Sequence, residues 1–306
     1  MNTNPMDAAS GAEPTAAPAW HQETLTQRVS GFFLRDRRAM VGMILLVVML
    51  FAAFVGPRLV PYEPDQPNVR NRFAAPSWSH WMGTDRSGRD LLSRVLAGAS
   101  ISFRVAIGAA LLALLIGAPL GAVTSYIGGL VDDVTQRCMD AIIAFPARLL
   151  AIVLVVLMGP SVVSLWFAIA FSSIPRYARI IRGSVLDQKE REYVEAAHAI
   201  GEGRLAILFL YILPNVLPPL AVQVTLDFAS AVSVEASLSF LGLGLVPPTI
   251  SWGGLLNDAQ QWLEEAPWLA IFPGAALALT VLSFVLIGDA IRDHLDPRTR
   301  RRGGMR

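Results

Sequence analysis

The chain is poor in the residues that most chemistry needs. Of 25 basic residues only Lys189 is lysine, Cys138 is the sole cysteine, and four histidines (His21, His80, His198, His294) are spread over 306 positions. A single cysteine excludes an intrachain disulfide and a cysteine metal cluster. Scattered over tail, loop, island and C-terminus, the histidines make no metal or acid–base site. Lys189 lies between Gln188 and Glu190, so the chain lacks the Gly-Lys-Ser/Thr cradle that holds nucleotide phosphates. There is no G-x-S-x-G nucleophile elbow. Charged residues make up 16%, below the roughly 25% of a soluble domain. The net charge of +1 gives no bulk electrostatic reason to bind nucleic acid.

What is present is apolar sequence, 54% of the chain, with a mean hydropathy of +0.50. Residues 1–38 form a cytoplasmic tail. Its first 24 positions, rich in Ala, Pro and Thr, read as disordered. Arg35, Arg37 and Arg38 then precede the uncharged run Ala39–Pro57. Basic residues favour the cytoplasmic side, and a span needs roughly 20 apolar residues, so 39–60 is a first transmembrane helix. Residues 61–99 form an outer loop with Trp78 and Trp81, although its five arginines (Arg70, Arg72, Arg86, Arg89, Arg94) weigh against that side. Val105–Val131 holds the second span. Met139–Met158 and Val162–Arg179 are two further candidates around Gly159-Pro160, against the alternative of one span over Leu149–Pro175. Two spans put the N-terminus, the 176–204 segment and the C-terminal tail on one side. The 176–204 segment has six basic residues and the tail from Arg292 has six more, whereas 159–161 and 236–267 have none; the positive-inside rule therefore selects two. Leu205–Val234 is the fifth span, with Pro214, Pro218 and Pro219 implying kinks or a break. Leu255–Glu265 reads as a short interfacial helix, Ala266–Gly288 as the sixth span, and 292–306 as a basic cytoplasmic tail. The fold class is all-α: a polytopic membrane protein with six transmembrane helices. Gly117 and Gly121 form a GxxxG, a helix-packing motif that a glycine-rich chain also produces by chance.

The long hydrophilic island of the second half spans Lys189 to Pro214. Glu190, Glu192 and Glu195 begin a helix over about 187–201, where the dipole favours acids. Tyr193, Ala196, Ala197 and Ile200 follow i, i+3, i+4, i+7 and share one face. That face is small and mildly apolar, suited to docking into a groove. Gly201 can take the left-handed conformation that ends a helix.

Here the residues reach a family. Glu195-Ala196-Ala197, Gly201 and Leu213-Pro214 resemble the EAA motif of bacterial ABC-transporter permeases. His80 to Asp90 (HWMGTDRSGRD) resembles the GTD…GRD segment of the "C" permeases of the dipeptide/oligopeptide/nickel branch. So do Leu238–Gly244, Pro247-Pro248, Ser251-Trp252-Gly253, Ala266-Pro267-Trp268, and Gly288-Asp289 through Leu295-Asp296-Pro297-Arg298. Tyr211 departs from the isoleucine or histidine usual there. The resemblance covers most of the chain. It implies one N-terminal helix outside a five-helix importer core (100–291). It also implies that the 187–201 helix couples to an ATPase through Tyr193, Glu195, Ala196, Ala197, Ile200 and Gly201. The implied partners are a second permease in a heterodimer, two ATPase subunits that hold ATP and Mg, and an extracytoplasmic solute-binding protein. The setting would be the lipid bilayer of the bacterial cytoplasmic membrane. The chain itself would carry no cofactor, no metal and no catalytic residue.

Ionisable groups inside spans are functional candidates. Counting ~1.5 Å per residue, Arg148 and Asp227 fall near mid-depth and Glu235 near the outer surface. Glu235 matches a glutamate usual in the branch; the other two stand where the family more often has small or apolar residues. All three are candidates for a translocation path that meets peptide-like termini. For Arg148 and Asp227 the competing expectation is snorkelling or a structural Arg–Asp pair. The 85–90 segment reads either as a contact for a binding protein or as a cap held by pairs such as Asp85/Arg89. Peptides are the default solute, with nickel and glutathione as alternatives. The runner-up function is an ion- or proton-coupled secondary transporter. Such carriers are usually built from internal repeats, and none is evident. An intramembrane enzyme is a third reading, without a recognisable nucleophile or metal set.

Overall fold

The computed structural model describes residues 36–295, and its regular elements are helices. The tail over 1–35, His21 and the terminal residues 296–306 lie outside them.

Helix α1 (Arg37–Phe54) starts on Asp36, whose carboxylate accepts the Arg38 N–H at 2.8 Å. It is apolar on all sides: Val41, Ile44, Val47, Val48 and Phe51 face outward, while Ala39, Gly42 and Ala53 are buried. Gly42 is why the helix can lie close, since a Cβ there would meet Leu286 Cβ at 2.9 Å.

Helix α2 (Leu91–Ile127) is 37 residues long and is capped by Asp90, whose carboxylate accepts the Ser93 N–H at 2.9 Å and the Ser93 hydroxyl at 2.9 Å. At ~1.5 Å per residue it exceeds the ~30 Å of a hydrocarbon core, and it ends at Gly128 with φ +73°. Its partner is α5 (Val162–Lys189). Here the GxxxG proves to be a packing device: a Cβ on Gly117 would sit 2.7 Å from Ile174 O, and one on Gly121 would strike the Ala178 backbone.

Between them, α3 (Gly129–Ile143) and α4 (Ala147–Met158) bend by 87°. This corrects the expectation of one continuous helix over Met139–Met158. Pro146 cannot continue an α-helix from the residues before it, and Phe145 ahead of a proline is pushed out of the helical region.

Helix α6 (Glu192–Ala199) follows α5 directly, and α7 runs over Arg204–Phe240. The prolines of α7 do not break it. Instead Ile207–Ile212 forms a π-helical turn immediately before Pro214, a widening that removes the need for the N–H that proline lacks. Helix α8 (Trp252–Ala259) starts on Ser251, earlier than the interfacial helix expected from Leu255. Helix α9 (Trp268–Leu295) closes the bundle.

Four of these helices are long and apolar enough to cross a membrane: α1, α2, α7 and α9. A fifth is added if bent α3–α4 counts as one span. Helix α5 has the length for a span, 28 residues, but carries Arg176, Arg179 and Arg182. The buried apolar residues form two clusters. One joins α2, α4, α5, α7, α8 and α9 around Phe103, Leu165 and Trp252, at what we term the cap end. The other joins α2, α5, α6 and α7 around Tyr177, Ile181 and Ile207, at the island end.

Candidate functional site

At the island end, α6 is an anchored helix with one free side. Val194 and Ala197 are buried in the island-end cluster against the π-turn of α7, where Ile207, Leu208 and Ile212 lie. Tyr193 is half-buried. Its hydroxyl donates to Gln188 Oε1 at 2.6 Å and accepts from Asn215 Nδ2 at 3.4 Å. So Tyr193 and Ala197, expected on the docking face, are turned inward, and Val194 joins them. The free side carries Glu195, Ala196 and Ile200, the last 75% exposed. Glu192 and Glu195 stand in the first turn, where the helix dipole favours them. Gly201 has φ +85°, and the Glu202 N–H returns to the Ala197 carbonyl at 3.1 Å. This is the left-handed helix stop expected of that glycine.

The chain before α6 is tied down by residues whose partners sequence reasoning passed over. Lys189 Nζ donates to Tyr126 O at 2.9 Å, at the C-terminal end of α2, where the dipole favours a cation. Arg182 grips Asp132 with two bonds, Nε to Oδ1 at 2.9 Å and Nη2 to Oδ2 at 2.8 Å, binding α5 to α3. Arg179 meets Asp140 at 2.7 Å. A basic residue every third position in α5 was a legible sign of a polar seam; its acidic partners were not.

The three charged candidates do not form one site. Asp227, 1% exposed, is paired with Arg176 Nη1 at 3.0 Å and accepts from Ser173 Oγ at 3.1 Å, with buried Tyr177 close by. A structural Arg–Asp pair exists, but its arginine is Arg176 and not Arg148. Glu235 is fully buried. Ser102 Oγ donates to its Oε2 at 3.0 Å and Ser239 Oγ to its Oε1 at 2.8 Å, while Ser102 also accepts the Trp252 N–H at 3.3 Å. This carboxylate joins α2, α7 and α8 from inside the bundle. Arg148 is exposed on the first turn of α4 and lines a cavity of about 450 Å³ with Ser233, Ser237 and apolar neighbours.

At the cap end, the 80–90 segment is a folded plug. Asp85 accepts from the Ser87 N–H at 2.8 Å, the Arg89 N–H at 3.0 Å and Arg89 Nε at 2.6 Å. His80 Nδ1 lies 2.8 Å from Asp90 Oδ1. Thr84 donates to Asn71 O and its own carbonyl accepts Trp268 Nε1 at 3.3 Å. Buried Arg94 reaches Asp65 at 3.2 Å and Asp85 at 3.6 Å. The cap reading of Asp85/Arg89 thus has its geometry. Trp78, 96% exposed, stands out from this plug. Among the described residues no group of three or more His, Cys, Asp or Glu could hold a metal ion.

Comparison with known proteins gives the same direction as the motifs. Residues 113–301 match the family described as binding-protein-dependent transport system inner membrane components. Residues 24–76 match the N-terminal transmembrane domain of oligopeptide transport permease C. A dipeptide transport system permease protein of Alkalihalophilus pseudofirmus is 38% identical over 291 residues, 94% of this chain and 96% of that protein. A putative peptide transport system permease protein of Brucella abortus is 41% identical over 270 residues, 88% and 91% of the two chains. A putative peptide permease protein of Brucella suis is 40% identical over 273 residues, 89% and 90%.

Proposed function

Since the chain belongs to the family of binding-protein-dependent transport system inner membrane components, we propose that it is the permease subunit of an ATP-driven peptide importer, coupled to its ATPase through α6. A transport subunit of this kind needs a rigid handle that projects from the bundle and an apolar tip left uncovered. Helix α6 has both: Val194 and Ala197 fasten it, and Ile200 at its end touches little of its own chain. That exposed tip on an anchored helix is the observation that carries the reading.

The partners would be a second permease, two ATPase subunits binding ATP and Mg, and a solute-binding protein on the outer side. This chain would contribute no catalytic group. Six spans follow if α3–α4 is one bent span and α5 another, which leaves both termini and α6 in the cytoplasm of a bacterial inner membrane. In an alternating-access cycle, closure of the ATPases on ATP would carry α6. The ties Lys189–Tyr126 and Arg182–Asp132 would pass that displacement to α2 and α3 as a rigid-body movement. Peptides are the solute class the relatives' names favour. A self-contained ion-coupled carrier gains nothing from the geometry: Asp227 is occupied by Arg176 and Glu235 is enclosed by serines.

The test is ATP-dependent uptake of two- to five-residue peptides into proteoliposomes holding the complete transporter and its binding protein. Uptake that requires ATP and is lost in Gly201→Asp supports the proposal. Uptake driven by an ion gradient without ATP contradicts it.

A further inference from the structure

Arg148 is an arginine without a reason to be where its own fold puts it. It stands on the first turn of α4, the end of a helix at which the dipole disfavours a cation. Its guanidinium has no hydrogen bond and no ion pair with any described residue, unlike Arg94, Arg176, Arg179 and Arg182. The acid weighed as its structural partner, Asp227, is taken by Arg176.

What Arg148 does have is space. It is the single charged residue lining a cavity of about 450 Å³, whose walls are α4 at Ile152, the cap-end half of α7 and Leu277 of α9. Small-solute pockets commonly fall at ~300–1,000 Å³, mostly apolar with a few polar groups that set orientation. Ser233 and Ser237, one turn apart on α7, line this cavity, though each hydroxyl also donates to a backbone carbonyl one turn back. They lie about 9 and 15 Å beyond Asp227 at ~1.5 Å per residue, toward the cap-end terminus of α7, where Phe240 and Leu241 also line the cavity. The Arg148 side chain is exposed and so is open to an anion brought to it. The guanidinium fork fits a carboxylate with two parallel hydrogen bonds, and apolar walls strengthen the contact by excluding water.

We propose that Arg148 receives the C-terminal carboxylate of a peptide as it crosses, making this cavity a specificity-determining station on the solute path. The inference rests on the importer reading above. The carboxylate docks on the guanidinium while apolar side chains of the solute lie against Ile152, Leu238 and Leu277, and release follows when the path changes its opening.

The test uses the complete transporter in proteoliposomes, loaded with a defined mixture of two- to five-residue peptides, each as free acid and as C-terminal amide. Accumulated peptides are counted by mass spectrometry, and the acid-to-amide uptake ratio of each variant is divided by that of the wild type. The binding protein is the same in every sample, so its own preference cancels. Arg148→Gln is expected to lower the ratio about ten-fold or more, the scale of a hydrogen bond to a charged group, while Arg148→Lys, which keeps the charge without the fork, retains only part of it. Equal losses for acids and amides overturn the proposal and assign Arg148 to a lipid phosphate or an acid of a partner subunit. An unchanged ratio with normal uptake also overturns it, yet leaves the importer reading standing. Absence of ATP-dependent uptake by the wild type removes both.

Discussion

Lys189, the chain's single lysine, donates to the carbonyl of Tyr126 across 63 positions of sequence and so fixes the start of the α6 segment to the end of α2. Its ammonium also lies 5.5 Å from the Tyr126 ring centroid. This is where motion of the island would enter the bundle. Lys189→Met removes the bond and keeps most of the stem's bulk, and we expect a loss of about 1–2 kcal/mol, the scale for a hydrogen bond from a charged donor with partial exposure. Peptide transport per ATP hydrolysed should fall more than ATPase binding does. Parallel thermal-melting and uptake-to-hydrolysis measurements check both.

Gly201 should be sensitive to backbone and not to bulk. Its φ of +85° is a left-handed position, yet a Cβ there meets nothing within 4 Å. Gly201→Ala should cost about 1–2 kcal/mol locally and Gly201→Asn less, because asparagine tolerates that region. Limited proteolysis around Gly201, compared across the two variants, reads the order.

Gly121 of α2 should show the opposite. Gly121→Leu drives a side chain into the Ala178 backbone, whereas a Cβ on Gly183 of α5 meets open space. We expect Gly121→Leu to abolish accumulation of folded protein and Gly183→Ala to leave it unchanged. Size-exclusion profiles in detergent distinguish them.

The Arg176–Asp227 pair joins α5 to α7 with its acid fully buried and its arginine half-exposed. Breaking one side leaves an unpaired buried carboxylate, so Arg176→Leu should destabilise by about 2–3 kcal/mol. Adding Asp227→Leu should restore most of that loss. A double-mutant cycle on melting temperature tests the sign of the coupling.

Much of this architecture was legible because membrane helices announce themselves by uncharged length, and because short motifs such as Glu195-Ala196-Ala197 and Gly83-Thr84-Asp85 carry the family. The Gly201 stop was readable from residue chemistry alone. What escaped had two physical causes. A helical stripe says which residues share a side, not which side finds a partner. In a helix of only eight residues, Tyr193 and Ala197 turned inward beside Val194, leaving Ala196 and Ile200 outside. Long-range pairings leave no local trace either, so Asp227 was weighed against Arg148 when its partner was Arg176, one turn from Ser173 on α5. The bend before α4 did have a signal in Phe145-Pro146, masked by an apolar run that continued through it.

The central claim is that the free side of α6 binds an ATPase, and co-purification from mild detergent tests it most directly. Ile200→Asp and Glu195→Lys alter exposed side chains and should leave folding intact. The account predicts that ATPase subunits accompany the wild type and are lost from both variants while the second permease stays bound. ATPase retained equally by all three, or absent from a wild type that still holds its second permease, would contradict it.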